Sequence, residues 1–161
     1  MLFFRIEKEQ NIEMKNRYGT IFRGLKKYII FEKINGDSMR VAIVGSRNIE
    51  NEENVYELLC RYVPVNTTEI VSGGATGIDT LAEVYAQRNR LKLTVFKPDY
   101  QSFGRRAPLV RNEEIIRYAQ YVLAFWDGVS HGTAHTVATC VTFGVPVKVI
   151  PLENFNRNEE N

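Results

Sequence analysis

The chain has 161 residues, of which 44% are hydrophobic and 25% charged, an ordinary composition for one globular domain with a core of its own. No apolar run approaches the ~20 residues of a membrane span, and charge arrives too early in Met1-Leu2-Phe3-Phe4-Arg5-Ile6-Glu7 for a signal-peptide core. The formal net charge of +2 is uneven: residues 1–38 hold eight Lys/Arg against five Asp/Glu, residues 39–161 thirteen against fourteen. The larger part is therefore not basic, which argues against a general nucleic-acid surface on it.

Residues 1–38 fit no regular scheme. Ile21–Ile34 is apolar and basic, ambiguous between strand and helix, and Asn35-Gly36-Asp37-Ser38 reads as a turn or linker. The segment is taken as an N-terminal extension, with Met39 as a candidate natural start.

From Arg40 onward strands and helices alternate. Val41-Ala42-Ile43-Val44 is a buried strand ending at Gly45. Val55, Leu58, Leu59 and Tyr62 have helical spacing after the polar Asn48–Asn54 start. Glu69–Val71 is a short strand and Ile78–Gln87 a helix. Leu91–Phe96 is a third strand, stopped by Pro98. Asp99-Tyr100 and Phe103-Gly104 fall in a long loop able to cover a crevice. Val110–Tyr118 is a helix, Tyr121–Phe125 a strand, and Ala134–Phe143 a helix ended by Gly144. Val147–Ile150 is the fifth strand, and residues 153–161 are a polar tail. Single helices between strands predict βαβ units and an α/β fold with a mainly parallel sheet of about five strands. Cys60 and Cys140 lie in helical patterns and read as small buried side chains in a reducing cytoplasm.

Ligands of such sheets sit at the carboxyl ends of the strands, near the point where strand order reverses. Three loops fall there. The first is Gly45-Ser46-Arg47. The second, Ser72-Gly73-Gly74-Ala75-Thr76-Gly77-Ile78-Asp79, is a glycine-rich turn that bares backbone N–H groups at a helix's positive end, a ready anion site. It lacks the Lys-Ser/Thr of a P-loop and is not Gly-x-Gly-x-x-Gly. The third, Asp127-Gly128-Val129-Ser130-His131-Gly132-Thr133, places hydroxyls and N–H groups at another helix start, with Ser130 either a cradle residue or an N-cap.

Other residues are suited to the same crevice. Arg47, Arg105, Arg106 and Arg111 offer guanidinium groups to phosphates or else form solvated surface charge. Arg111 is expected to open its helix, where a cation opposes the macrodipole and wants an anionic partner, Glu113 and Glu114 included. Trp126 is suited either to stack on a base or to wall the domain. Asp79 complements its helix dipole. His131 and His135 are four apart, but no Glu lies between them and no third ligand is evident, so neither a metal nor a cofactor is expected.

In this order the motifs resemble the SLOG superfamily, which includes the Lonely Guy phosphoribohydrolases and the DNA-processing protein DprA, and within it the YspA-like branch. The similarity runs from Val41–Arg47 through Ser72–Asp79, Pro98-Asp99-Tyr100, Gly104-Arg105, Arg111-Asn112 and Ala124–Thr133, about residues 40–150. It implies a Rossmann-like three-layer α/β/α fold over residues 39–152 and a pocket for nucleotides or nucleotide-derived molecules such as ADP-ribose. Lonely Guy enzymes carry an Arg-Lys pair and a motif ending in a catalytic Glu. Here Arg111-Asn112 stands at the first place and Thr136 at the second. Thr cannot act as that carboxylate.

The expected function is thus to bind a nucleotide-derived ligand as a sensor or sequestering protein. Gly45, Ser46 and Arg47 would contact one end. Gly73, Gly74 and Thr76 would hold a phosphate, with Ala75 and Asp79 in the same turn at the ligand. Arg111, Asn112, Trp126, Asp127, Ser130, Gly132 and Thr133 would face it from the other side. A nucleotide N-glycosidase drawing a carboxylate from Asp79, Asp127 or Glu83 is the alternative, and DprA-like binding of single-stranded DNA a third reading. Expected partners are the small molecule and copies of the chain itself; nucleic acid and membrane are not expected.

Overall fold

In the computed structural model, which describes residues 15–16, 19–20 and 38–152, strand–helix alternation yields one parallel sheet. The expectations for the rest of the N-terminal segment and for the 153–161 tail lie outside the described residues. The chain divides into two compact units, Met1–Asn35 and Gly36–Asn161. In the first, β1 (Lys15–Asn16) and β2 (Gly19–Thr20) pair antiparallel.

The second unit contains β3 (Met39–Gly45), α1 (Glu52–Tyr62), β4 (Thr67–Ser72), α2 (Ile78–Arg88) and β5 (Lys92–Val95). There follow α3 (Tyr100–Phe103), a 3-10 turn (Gly104–Arg106), α4 (Ala107–Tyr118), β6 (Tyr121–Trp126), α5 (His131–Phe143) and β7 (Val147–Pro151). The five strands run in the order β5-β4-β3-β6-β7, every neighbour parallel. The parallel sheet is the one anticipated from the alternation, and the architecture is Rossmann-like, as the resemblance implied.

Period-two alternation sorts the core into two layers. Val41 and Ile43 of β3 join Leu123 and Phe125 of β6 on one face, against Val55 and Leu59 of α1 and Ile78, Leu81 and Ala82 of α2. Ala42, Val44, Val122 and Ala124 point the other way, toward Ile115 and Ile116 of α4 and Cys140 of α5. Chain order sets the reversal point: β4 and β5 extend the sheet to one side of β3, whereas β6 docks on the other. The carboxyl ends of β3 and β6 stand level, Gly45 opposite Phe125, so the crevice opens between them.

Local signals explain the helix limits. Asn51 caps α1, its side chain accepting the Asn54 N–H at 2.9 Å, and Glu52 and Glu53 favour the positive end. Gly144, left-handed at φ 68°, closes α5. Three expectations change. The segment read as a loop from Asp99 to Gly104 forms α3 and the 3-10 turn, capped by Asp99 Oδ1, which accepts from Gln101 N and Ser102 N. Helix α4 starts at Ala107 rather than Val110, because Pro108 suits a first helical turn. Cys60 lies on the exposed side of α1, while Cys140 is buried and burial pushes its thiol up to about 11. Among the described residues no helix is long and apolar enough to cross a membrane.

Candidate functional site

A crevice of about 470 Å³ lies at the reversal point. Of the residues expected at the ligand, Gly45, Ser46, Arg47, Gly73, Ala75, Asp79, Arg111, Asn112, Asp127, Ser130, Gly132 and Thr133 line it. Gly74, Thr76 and Trp126 do not. Val44, Asn48, Pro108, Leu109, Ile115 and Thr136 complete the wall. Pro108 and Leu109 come from the first turn of α4, ahead of the Val110 start expected from the sequence.

The first two loops are packed directly on each other. Ile78 N donates to Ser46 O at 3.3 Å. Gly77, at φ 78°, lies against the Arg47 backbone, and a Cβ there would come within 2.7 Å of Arg47 Cα. A Cβ on Gly45 would come within 2.6 Å of Ile78 Cγ1. These two glycines serve close backbone approach between loops.

The glycine-rich turn is anchored from within. Gly74 N donates to Ser72 Oγ at 3.2 Å, and Ala75 N donates to Asp79 Oδ2 at 3.1 Å. The Asp79 carboxylate therefore occupies part of the anion site that the bare turn would present. Burial raises its carboxyl above the usual range, although the Ala75 N–H and the Arg111 charge favour ionisation. The role of Asp79 is larger than dipole complementation.

Arg111 forms the floor. It is buried, 7% exposed, and sits in the second turn of α4 rather than opening the helix. Its partners are not Glu113 and Glu114. The guanidinium Nη1 donates to the carbonyls of Gly73 and Phe96, and Nε donates to Asn112 Oδ1 at 2.9 Å. Burial lowers its affinity for the proton, Asp79 opposes that, Arg47 reinforces it, and Tyr100 opposes it. A guanidinium beneath a polar crevice is an anchor for an anionic group.

The third loop is fixed by Asp127, whose Oδ1 accepts from Val129 N at 3.0 Å and Ser130 N at 2.7 Å, an Asx turn. The Ser130 hydroxyl donates to Asp127 Oδ2 at 2.6 Å and lies 3.1 Å from Ser46 Oγ. Engaged there, it makes no side-chain cap on α5. Burial opposes the Asp127 charge, but bonds from Ser130, Val129 and Ser46 outweigh it and hold the carboxyl down to about 2. Trp126 turns its indole N–H onto Ser130 O at 3.1 Å, so it braces this loop from outside the crevice. Gly132 has open space where a Cβ would stand.

Thr136 is buried, accepting from Asn112 Nδ2 at 3.0 Å and donating to Gly132 O at 3.0 Å. The pair Asn112–Thr136 thus ties α4 to α5 through neutral groups. Glu83, a candidate carboxylate, accepts from Ser72 Oγ at 3.4 Å and lines a separate groove with Thr80, Val84 and Leu93. His131 is exposed, and His135 Nδ1 is buried without a hydrogen-bond partner. No group of three or more His, Cys, Asp or Glu among the described residues could hold a metal ion.

The segment between β5 and α4 is both aromatic and basic. Tyr100 and Phe103 of α3 are 60% and 46% exposed, and Arg105 and Arg106 follow in the exposed 3-10 turn. Arg47 is exposed on the crevice wall. The chain from residue 39 onward is not basic overall, yet the exposed segment between β5 and α4 gathers two aromatic rings and two arginines.

Against known proteins, residues 39–103 match the model of the YspA, cpYpsA-related SLOG family. From β3 to α3 the chain is thus similar to SLOG domains. Two solved structures share its fold. DNA processing protein A (DprA) from Streptococcus pneumoniae aligns with a TM-score of 0.61 and 21% identity, over 74% of this chain and 52% of that one. DprA from Helicobacter pylori, described for its single-stranded DNA binding mode, aligns at 0.57 and 22%, over 75% and 68%. This chain spans about half the length of the S. pneumoniae protein. No curated protein matches it significantly.

Proposed function

We propose that this SLOG domain binds a nucleotide or nucleotide-derived ligand, of nucleoside phosphate or ADP-ribose type, as a cytoplasmic sensor or sequestering protein. The observation that carries the reading is the state of the crevice carboxylates. Asp127 is committed to Ser130 and Val129, and Asp79 to Ala75 N with Arg111 nearby. The neutral Thr136 faces the crevice where the phosphoribohydrolases carry Glu. Catalysis by glycosidic cleavage needs a carboxylate free to reach the sugar or water. Binding needs only the polar walls and the Arg111 floor.

The test is a panel of AMP, NAD and ADP-ribose, following both melting temperature and product release. A ligand at a hundred times its Kd adds about 2.7 kcal/mol to native stability, a shift of several degrees. A shift without turnover supports the binder. Release of free base would overturn it and make Asp79 the carboxylate to replace. No shift with any member would remove the reading.

A second reading, binding of single-stranded DNA, is favoured by the exposed Tyr100, Phe103, Arg105 and Arg106. Aromatic faces with cations between them hold stacked bases and phosphates, and the H. pylori structure of the same fold is described for that activity. An oligo-dT titration at several salt concentrations tests it: affinity that falls steeply with salt and drops in Arg105→Ala/Arg106→Ala supports it, and no binding at low salt rejects it.

A further inference from the structure

We propose that α3 is the base-recognition half of the site: Tyr100, with Phe103 beside it, closes over the crevice mouth and stacks on the planar ring of a ligand held below. The inference rests on the nucleotide reading and says how the base is recognised.

Three observations lead to it. First, among the described residues the crevice wall contains no aromatic side chain. Its polar groups suit phosphate and ribose, and its aliphatic groups are few. Trp126, the residue suited by sequence position to stack on a base, is turned onto Ser130 O and lies outside the wall. A heterocyclic base in this crevice therefore has no ring to stack on.

Second, two large aromatic residues stand unburied on the segment that leads into α4, whose first turn lines the crevice. Tyr100 and Phe103 expose 60% and 46% of their surface, and among the described residues the ring pairs are Tyr56–Tyr85 and Phe96–Tyr118, neither of which includes them. Exposed aromatic groups of this size are usual at recognition surfaces. Pro108 and Leu109, five and six residues beyond Phe103, are in the crevice wall, so the chain runs from α3 directly into the site, and Tyr100 is within electrostatic reach of Arg111.

Third, the segment is built to move as a piece. Every residue from 99 to 106 is exposed, so few packing contacts hold it. The Asp99 cap keeps its single helical turn together. At its far end Gly104 has φ +51° with open space around it, a point able to absorb a change of backbone angle. Beyond Gly104 the chain continues into α4, which contributes Leu109, Arg111 and Asn112 to the wall. Closure would bring Tyr100 onto a base whose phosphate and sugar are already seated.

The experiment compares AMP with ribose 5-phosphate, which has the same sugar phosphate and no base. Base–aromatic stacking predicts that Tyr100→Ala weakens AMP roughly tenfold to a hundredfold, leaves ribose 5-phosphate within about twofold, and that Tyr100→Phe restores AMP binding. Trypsin supplies an independent readout. AMP should slow cleavage after Arg105 and Arg106, followed by mass spectrometry, and ribose 5-phosphate should not. If the wild type binds ribose 5-phosphate and AMP equally, or Tyr100→Ala affects both alike or neither, the base-recognition role is overturned and the crevice reading survives. If the wild type binds neither compound, both fall.

Discussion

The Ser130 hydroxyl donates to Asp127 Oδ2 at 2.6 Å while lying 3.1 Å from Ser46 Oγ. One carboxylate in the loop after β6 thereby sets the spacing to the loop after β3, and the width of the crevice depends on it. Burial works against its charge, but bonds from Ser130, Val129 and Ser46 prevail and depress its carboxyl from 3.8 to about 2. A folded-state value below the unfolded one gives stability that is fully present above the unfolded value and is lost as pH falls through the folded one. Denaturation of wild type and Asp127→Asn should therefore converge between pH ~4 and ~2 and differ by a constant gap above pH ~5. A gap that ignores pH across this window would count against the clamp.

Arg111 should be a stability residue as well as an anion anchor. Arg111→Met strips the donors from the Gly73 and Phe96 carbonyls and leaves Asp79 buried without its nearby cation. A loss of about 2–4 kcal/mol follows from unsatisfied buried groups. The Asp79 carboxyl is already raised by burial, so its contribution weakens the fold as pH rises through 3.8 toward its folded value. Without Arg111 that dependence should steepen, and adding Asp79→Asn should recover part of the loss. Urea denaturation of both single variants and the double variant measures this; strict additivity would mean that the two residues do not act on each other.

The glycines divide into those that hold the fold and one that tests the site. Gly45→Ala drives a methyl group into Ile78 and Phe125 and should cost about 1–3 kcal/mol as overpacking. Gly74 is a poor site for a bulky probe, because φ +67° and Val95 Cγ1 at 2.8 Å would strain the fold itself. Gly132 faces open space at normal backbone angles. Gly132→Leu should melt within a few degrees of wild type yet lose ligand at least tenfold. Unchanged binding would remove the α5 end of the crevice from the site.

Away from the crevice, Glu69 is a buried hub. Its carboxylate accepts from Thr94 Oγ1 at 2.6 Å, Tyr118 OH at 2.9 Å and Lys92 Nζ at 3.0 Å. Burial would raise its carboxyl, but these three partners lower it overall. Glu69→Ala orphans the Thr94 and Tyr118 hydroxyls and should cost about 2–4 kcal/mol. Lys92 is 64% exposed, so Lys92→Met should lose far less. Equal losses in the two variants would show that the exposed ion pair, not the buried network, matters.

The sheet and its helices were legible because alternation in segments such as Val41–Val44 reports which layer each side chain enters. Loop identity was legible for the same reason: Gly45, Gly73 and Ser130 directly follow or lie near strand ends. Direction within a loop was not. Nothing local reveals that the Trp126 indole folds back to Ser130 O, or that the Asp79 carboxylate turns into its own glycine-rich loop. The start of α4 was hidden because Gly104-Arg105-Arg106 carries no apolar period, and with it went the buried place of Arg111.

The central strand β3 pairs with β4, about thirty residues onward, and with β6, about eighty residues onward. Everything from Met39 to Phe103 can assemble on one flank while the other stays open. The crevice does not exist at that stage, since Arg111, Asp127 and Ser130 have yet to arrive. During synthesis, ligand competence would therefore appear only when β6 docks, so a nucleotide could reward the last step of folding but not guide the first.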